Sequence, residues 1–164
     1  MPEGRRRLIA RDGYYAAENA TIVGEVRIGR DVSIWYGAVV RGDIAPITIG
    51  ELTNIQDNCV LHCDPGQDLS IGRRVTVGHM AMIHAQEVGD DCLIGIGSIL
   101  LGGSKVGAGS IVAAGALIRE NQVIPPGSIV VGLPGKVIGQ VGENGIKEAG
   151  ERARRYLELA LKHV

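Results

Sequence analysis

Residues 88–130 read VGDDCLIGIGSILLGGSKVGAGSIVAAGALIRENQVIPPGSIV. An aliphatic residue stands at every sixth position: Val88, Ile94, Leu100, Val106, Val112, Ile118, Ile124 and Val130. Glycine follows several of them, as in Val88-Gly89, Ile94-Gly95 and Val106-Gly107, and small residues favour the fourth position after. This period matches neither the 3.6 of a helix nor the alternation of an amphipathic strand. It matches a flat side of a triangular prism, with one hexad per side and three per coil. One inward aliphatic per side fills a narrow centre. Stacked coils pair their backbones, which satisfies the polar groups and buries a continuous core. The chain is read as an all-β solenoid, a left-handed parallel β-helix.

The period continues toward the N-terminus through Ile22, Ile28, Ile34 and Val40, then Ile49, Ile55 and Leu61, then Ile71, Val77 and Ile83. About six coils fit between residues 20 and 138. Three breaks interrupt the register. Three residues are inserted between Val40 and Ile49, four between Leu61 and Ile71, and one is lost between Ile83 and Val88. Such breaks map to corners or faces of a solenoid, often the functional ones. Composition agrees: 45% of residues are hydrophobic, only 3% are aromatic, and 25 are Gly. The interior is narrow and the backbone turns often.

After Gly142 the spacing becomes helical. Ala149, Ala153, Tyr156, Leu157, Ala160 and Leu161 form one stripe. Glu148-Arg152, Glu151-Arg155 and Glu158-Lys162 are i,i+4 pairs in the favourable order. We read residues 1–142 as the β-helix and 143–164 as a C-terminal α-helix packing on it.

With 17 Lys and Arg against 18 Asp and Glu, the chain lacks the electrostatic footprint of a nucleic-acid binder. The one basic run, Arg5-Arg6-Arg7, reads as a solvated terminus or as an anion or partner contact. No apolar stretch approaches the roughly 20 residues that span a bilayer. The N-terminus lacks the apolar core of a signal peptide, so a cytoplasmic location is expected. Cys59, Cys63 and Cys92 are odd in number and form no CxxC, which argues against a disulfide framework and a cysteine zinc site. They read as small buried hydrophobes, with Cys59 and Cys63 alternatively thiols near a metal.

Three of the four histidines lie between residues 62 and 84. His62 follows Leu61 and His84 follows Ile83, 22 residues apart; removing the four-residue insertion leaves 18, one full coil. The two imidazoles should stack, with strands about 4.8 Å apart. His79 has a different phase, about one side of the triangle earlier, and should not reach the same ion within one chain. A three-fold assembly would bring a neighbour's His79 against His62 and His84. Three neutral imidazoles with an open fourth position form a catalytic rather than a structural metal arrangement. Zinc is the default ion, and Fe(II) or Co(II) also suit imidazoles.

The stretch Arg41-Gly42-Asp43, then Asn54-Ile55-Gln56-Asp57-Asn58 with Val60-Leu61-His62, then Gly78-His79-Met80-Ala81-Met82-Ile83-His84, resembles the γ-class carbonic anhydrases. So do Ile94-Gly95-Ile96-Gly97-Ser98 and Val131-Gly132-Leu133-Pro134-Gly135-Lys136. The resemblance covers nearly the whole chain. It implies a homotrimer with metal sites between subunits, held by His62 and His84 of one subunit and His79 of the next. It implies reversible hydration of CO2 to bicarbonate by metal-bound hydroxide. Gln56 matches the glutamine that hydrogen-bonds the metal-bound solvent. Arg41, Asp43 and Asp57 match a cluster of charges at the subunit interface. Tyr156 resembles a tyrosine that some members place near the site, and reads equally as helix packing. The chain departs from the prototype of the class in having Ile44 after Asp43, no Glu in residues 62–70, and His84-Ala85-Gln86 after the third ligand. Gln86 reads as a polar group near the metal or as a corner residue. Two other readings share the solenoid: an acyltransferase acting on a CoA thioester, and a non-catalytic protein that retains the metal site.

Overall fold

The computed structural model describes residues 7–164. Arg5 and Arg6 of the basic run lie outside the described residues. The chain winds as a left-handed parallel β-helix of three flat sides, and the hexad aliphatics form its three inward columns. On the first side Ala16, Ile34, Ile55, Val77, Ile94, Val112 and Val130 are successive register partners. On the second, Ile22, Val40, Leu61, Ile83, Leu100 and Ile118 stack in the same way. On the third the column is Ile28, Ile49, Ile71, Val88, Val106 and Ile124. Nearly all are buried, Ile22 and Ile28 of the first coil being half-buried. The narrow centre thus holds one branched side chain per side, which explains why large rings are scarce.

Most sides are strands of only two residues, such as Val60–Leu61 and Met82–Ile83. Ladder bonds between coils, as from the Gly50 N–H to the Ile71 carbonyl at 2.8 Å, compensate for that shortness. The glycines that follow third-side aliphatics sit where coils approach closely. A Cβ on Gly50 would lie 2.6 Å from the Gly72 carbonyl carbon, so glycine is required there.

All three register breaks fall at one corner, between the second and third sides. There the strand Val39–Ile49 carries the first insertion around the corner. The loop between Leu61 and Leu69 carries the second, and the coil above turns tightly from Ile83 to Glu87. The irregular corner is therefore the one that follows His62 and His84.

The ends close with antiparallel strands, which the hexad reading does not anticipate. Leu8–Ala10 pairs with Tyr15–Ala17 at one end, and Lys136–Gln140 pairs with Ser128–Val131 at the other. Both cover edges that parallel coils would leave open.

The helix Glu143–Leu161 lies against the first side, over the strands Ser33–Ile34, Asn54–Ile55 and Thr76–Val77. Ala149, Ala153 and Ala160 are buried, so small residues let the helix approach the wall. Leu161, expected on the same stripe, is exposed. At about 100° per residue it lies about 120° round from Ala149. Of the three i,i+4 pairs, only Arg152–Glu148 closes among the described residues, at 3.2 Å. The helix end is anchored by Trp35, which meets Tyr156 and His163 edge-on, and by a 2.9 Å hydrogen bond between the Tyr36 hydroxyl and His163 Nδ1. No described helix is long and apolar enough to cross a membrane.

Candidate metal centre

Leu61 and Ile83 are register partners on the second side, so the residues that follow them stack. The His62 and His84 rings lie with centroids 5.2 Å apart. Arg41, which follows Val40, occupies the same column one coil below. Its Nη1 donates to Asp43 Oδ2 at 2.7 Å, and the other carboxylate oxygen of Asp43 lies 3.1 Å from His62 Nε2. The hydrogen bond from Arg41 holds the Asp43 carboxyl below its ordinary range. Arg41, Asp43 and His62 thus form one chain of charge that orients the imidazole.

His84 is different. Its Nε2 is shielded from solvent and has no hydrogen-bond partner. Asp64 Oδ1 lies 3.3 Å away but out of line for a hydrogen bond. A buried polar atom without a partner costs free energy of order 1–3 kcal/mol. Such an atom beside a second imidazole suits a metal ion. Asp64 belongs to the inserted loop between Leu61 and Leu69. Its contact with His84 depends on how that loop folds, which residue spacing does not encode.

His79, Gln56 and Asp57 sit at the opposite end of the second side, at the corner before it. Asp57 Oδ2 lies 2.8 Å from His79 Nδ1, leaving Nε2 as the ring's remaining donor atom. A carboxylate on one imidazole nitrogen is the usual companion of a metal on the other. The His79 backbone N–H donates to Gln56 Oε1 at 3.2 Å. Gln56 Nε2 donates to Asn54 Oδ1 at 3.1 Å, and Asn54 Nδ2 donates to Thr76 Oγ1 at 3.0 Å. Gln56, only 4% exposed, is thereby fixed. Asn54 is a supporting residue that the sequence reading quoted without a role. Tyr156 also lies beside this group, next to the Gln56 side chain, and burial pushes its hydroxyl pKa up. It packs edge-on against Trp35.

The structure therefore forms two clusters, one with Arg41, Asp43, His62, Asp64 and His84, the other with Gln56, Asp57, His79 and Tyr156. Among the described residues of one chain, no group of three or more His, Cys, Asp or Glu is placed to hold a metal. Met80, Met82, Ile96 and Ile99 are exposed along the second side and the corner before it. The donor set still fits a metal: two adjacent imidazoles, one with an orphaned nitrogen, and a third imidazole backed by a carboxylate.

The cysteines face elsewhere. All three are free and buried. Their Sγ–H groups donate to backbone carbonyls of Gly78, Ala45 and Gly107 for Cys59, Cys63 and Cys92 respectively. Burial pushes Cys59 up to about 11 and Cys92 up to about 12. Gln86 ties its backbone N–H to the Ser104 carbonyl at 2.9 Å, as a corner residue does.

Comparison with known proteins places this geometry. The family model described as "Bacterial transferase hexapeptide (six repeats)" matches residues 87–120. The chain is 47% identical over 144 residues to the "Probable carbonic anhydrase" of Methanocaldococcus jannaschii, covering 88% of this chain and 91% of that protein. It is 41% identical to "Gamma carbonic anhydrase 2, mitochondrial" of Arabidopsis thaliana, covering 92% of this chain and 56% of that protein. Among solved structures, a hexapeptide transferase family protein from Anaplasma phagocytophilum superposes with a TM-score of 0.88 at 36% identity. That alignment covers 94% of this chain and 91% of the other.

Proposed function

The chain belongs to the γ-class carbonic anhydrase family, and from that premise we propose that it catalyses the reversible hydration of CO2 to bicarbonate at metal sites shared between the subunits of a homotrimer. The observation that carries this reading is the stacked His62–His84 pair, whose third partner is out of reach in the same chain. His62 and His84 of one subunit and His79 of the next would hold the ion. The exposed Met80, Met82, Ile96 and Ile99 give the intervening face an apolar surface that a neighbouring copy would cover. Zinc is the ion this donor set suits first, with Fe(II) or Co(II) also compatible. When bound by three imidazoles with an open position, such an ion lowers the pKa of water to about 7 and supplies hydroxide at neutral pH.

The chain's own residues do the rest. Asp43 and Asp57 fix the orientation of His62 and His79, and Arg41 holds Asp43 in place. Gln56, locked by Asn54 and the His79 backbone, presents a fixed amide that orients the nucleophile toward CO2. The transferase wording attached to the repeat and to the Anaplasma structure describes proteins on the same fold, and fold alone does not assign chemistry. An acyltransferase acting on a CoA thioester would not need three histidines on a metal. Stopped-flow CO2 hydration on anaerobically prepared protein of measured metal content tests the proposal. Hydration above buffer that scales with metal supports it. Full metal occupancy without hydration overturns the catalytic claim, and absence of metal binding overturns the site.

A further inference from the structure

On the first side, from Ile34 to Val112, the residues that follow the inward aliphatics are Trp35, Gln56, Gly78, Gly95 and Ala113. They are large in the lower coils, where the helix seats, and small above. The loss of bulk opens a groove of about 470 Å³ between the helix and the wall. Its apolar lining includes the outward-facing Leu93, Ile96, Ile111 and Ala113. Gln56, Arg152 and Tyr156 also line it. These polar groups converge: Tyr156 lies beside Gln56, and Arg152 is one helical turn before Tyr156.

The volume falls within the range of about 300–1,000 Å³ typical of small-molecule sites. It is far larger than CO2 or bicarbonate requires. Apolar walls with one cation call for an apolar body carrying one negative charge. Arg152 is three-quarters buried, and one of its nitrogens bonds the exposed Glu148 at 3.2 Å. A guanidinium has five N–H donors in a fork that matches a carboxylate, so donors remain.

We propose that this groove is a binding site for a small organic carboxylate, with the carboxylate on Arg152 and its apolar body against Leu93, Ile96 and Ile111. The site lies on the first side, adjoins the His79 cluster through Gln56 and Tyr156, and has none of the three histidines in its lining. It does not depend on the metal, and ligand bound there touches Gln56 and Tyr156 directly.

Benzoate is a suitable probe, with acetate and benzyl alcohol as the charge-only and body-only comparators. Calorimetry on the metal-free full chain should show saturable benzoate binding at one site per chain. Acetate and benzyl alcohol should each bind at least tenfold more weakly. Arg152→Gln should weaken benzoate tenfold or more while leaving benzyl alcohol unchanged, and Ala113→Leu should fill the groove and abolish both. If Ala113→Leu does not fold, Arg152→Gln decides alone. No saturable binding, or binding indifferent to Arg152→Gln, overturns the proposal. So does a crystal structure of the assembly with a second copy's side chains seated in the groove. Because binding is read without metal, failure here is separable from failure of the CO2 hydration reading.

Discussion

The imidazoles of His62 and His84 stack with ring centroids 5.2 Å apart because Leu61 and Ile83, the residues before them, are register partners in adjacent coils. The stacking is a consequence of the core. The inward aliphatics fix the register, and the register places the next residue of each coil in one outward column. The metal proposal thus rests on the same packing that forms the solenoid.

Ile83 and its neighbour Met82 should separate core from surface. Ile83 is fully buried, whereas Met82 is 40% exposed. Truncating a buried Ile to Ala typically costs about 2–5 kcal/mol. Ile83→Ala should therefore lower the denaturant midpoint by a corresponding amount. Met82→Glu should leave the isolated chain folded by circular dichroism but break the trimer and release metal. A trimer that survives Met82→Glu with its metal would exclude the second side as the interface.

The buried thiols make stability fall in alkali. Cys59 and Cys92 titrate near 11 and 12 in the fold, whereas an unfolded thiol titrates near ~8.5. Below that pH both states keep the protons, and the stabilisation is fully present. Above it the unfolded chain loses protons that the fold retains, so stability declines with rising pH until the folded thiols ionise. Urea midpoints should drop between pH 8 and pH 10.5, and a Cys59→Ala/Cys92→Ala variant should lose that part of the drop. Native thiols that react freely with a disulfide reagent at pH 8 would contradict the burial argument.

Tyr156 lies beside Gln56. A hydrogen bond between the two in the assembled site would be worth about 0.5–1.5 kcal/mol. If that bond positions Gln56 for reaction, Tyr156→Phe should reduce kcat for CO2 hydration about two- to tenfold, with metal content unchanged. An unchanged kcat would leave Tyr156 as a packing residue against Trp35 alone.

Much of this architecture is legible in the sequence because one inward residue per six-residue side is a strict demand. Subtracting the insertion between Leu61 and Ile71 leaves His62 and His84 one coil apart, as the structure has them. The antiparallel end strands are not legible, since Leu8–Ala10 and Lys136–Gln140 carry no hexad. The approach of Asp64 to His84 depends on a loop conformation. Leu161 was misplaced because its apolar character says nothing of its rotation from the buried alanines. The separation of His79 from the other histidines is legible only as a mismatch of phase.

The direct test is therefore metal content in mixed assemblies. His79→Ala and His62→Ala chains, co-expressed with different tags and purified through both, give trimers containing each variant. At any one interface the site is complete only where the His79→Ala chain supplies His62 and His84 and the His62→Ala chain supplies His79. The shared-site account predicts no metal in either variant alone and one occupied site in every mixed trimer. Metal retained by the His79→Ala trimer, or mixed trimers that remain metal-free, would contradict it.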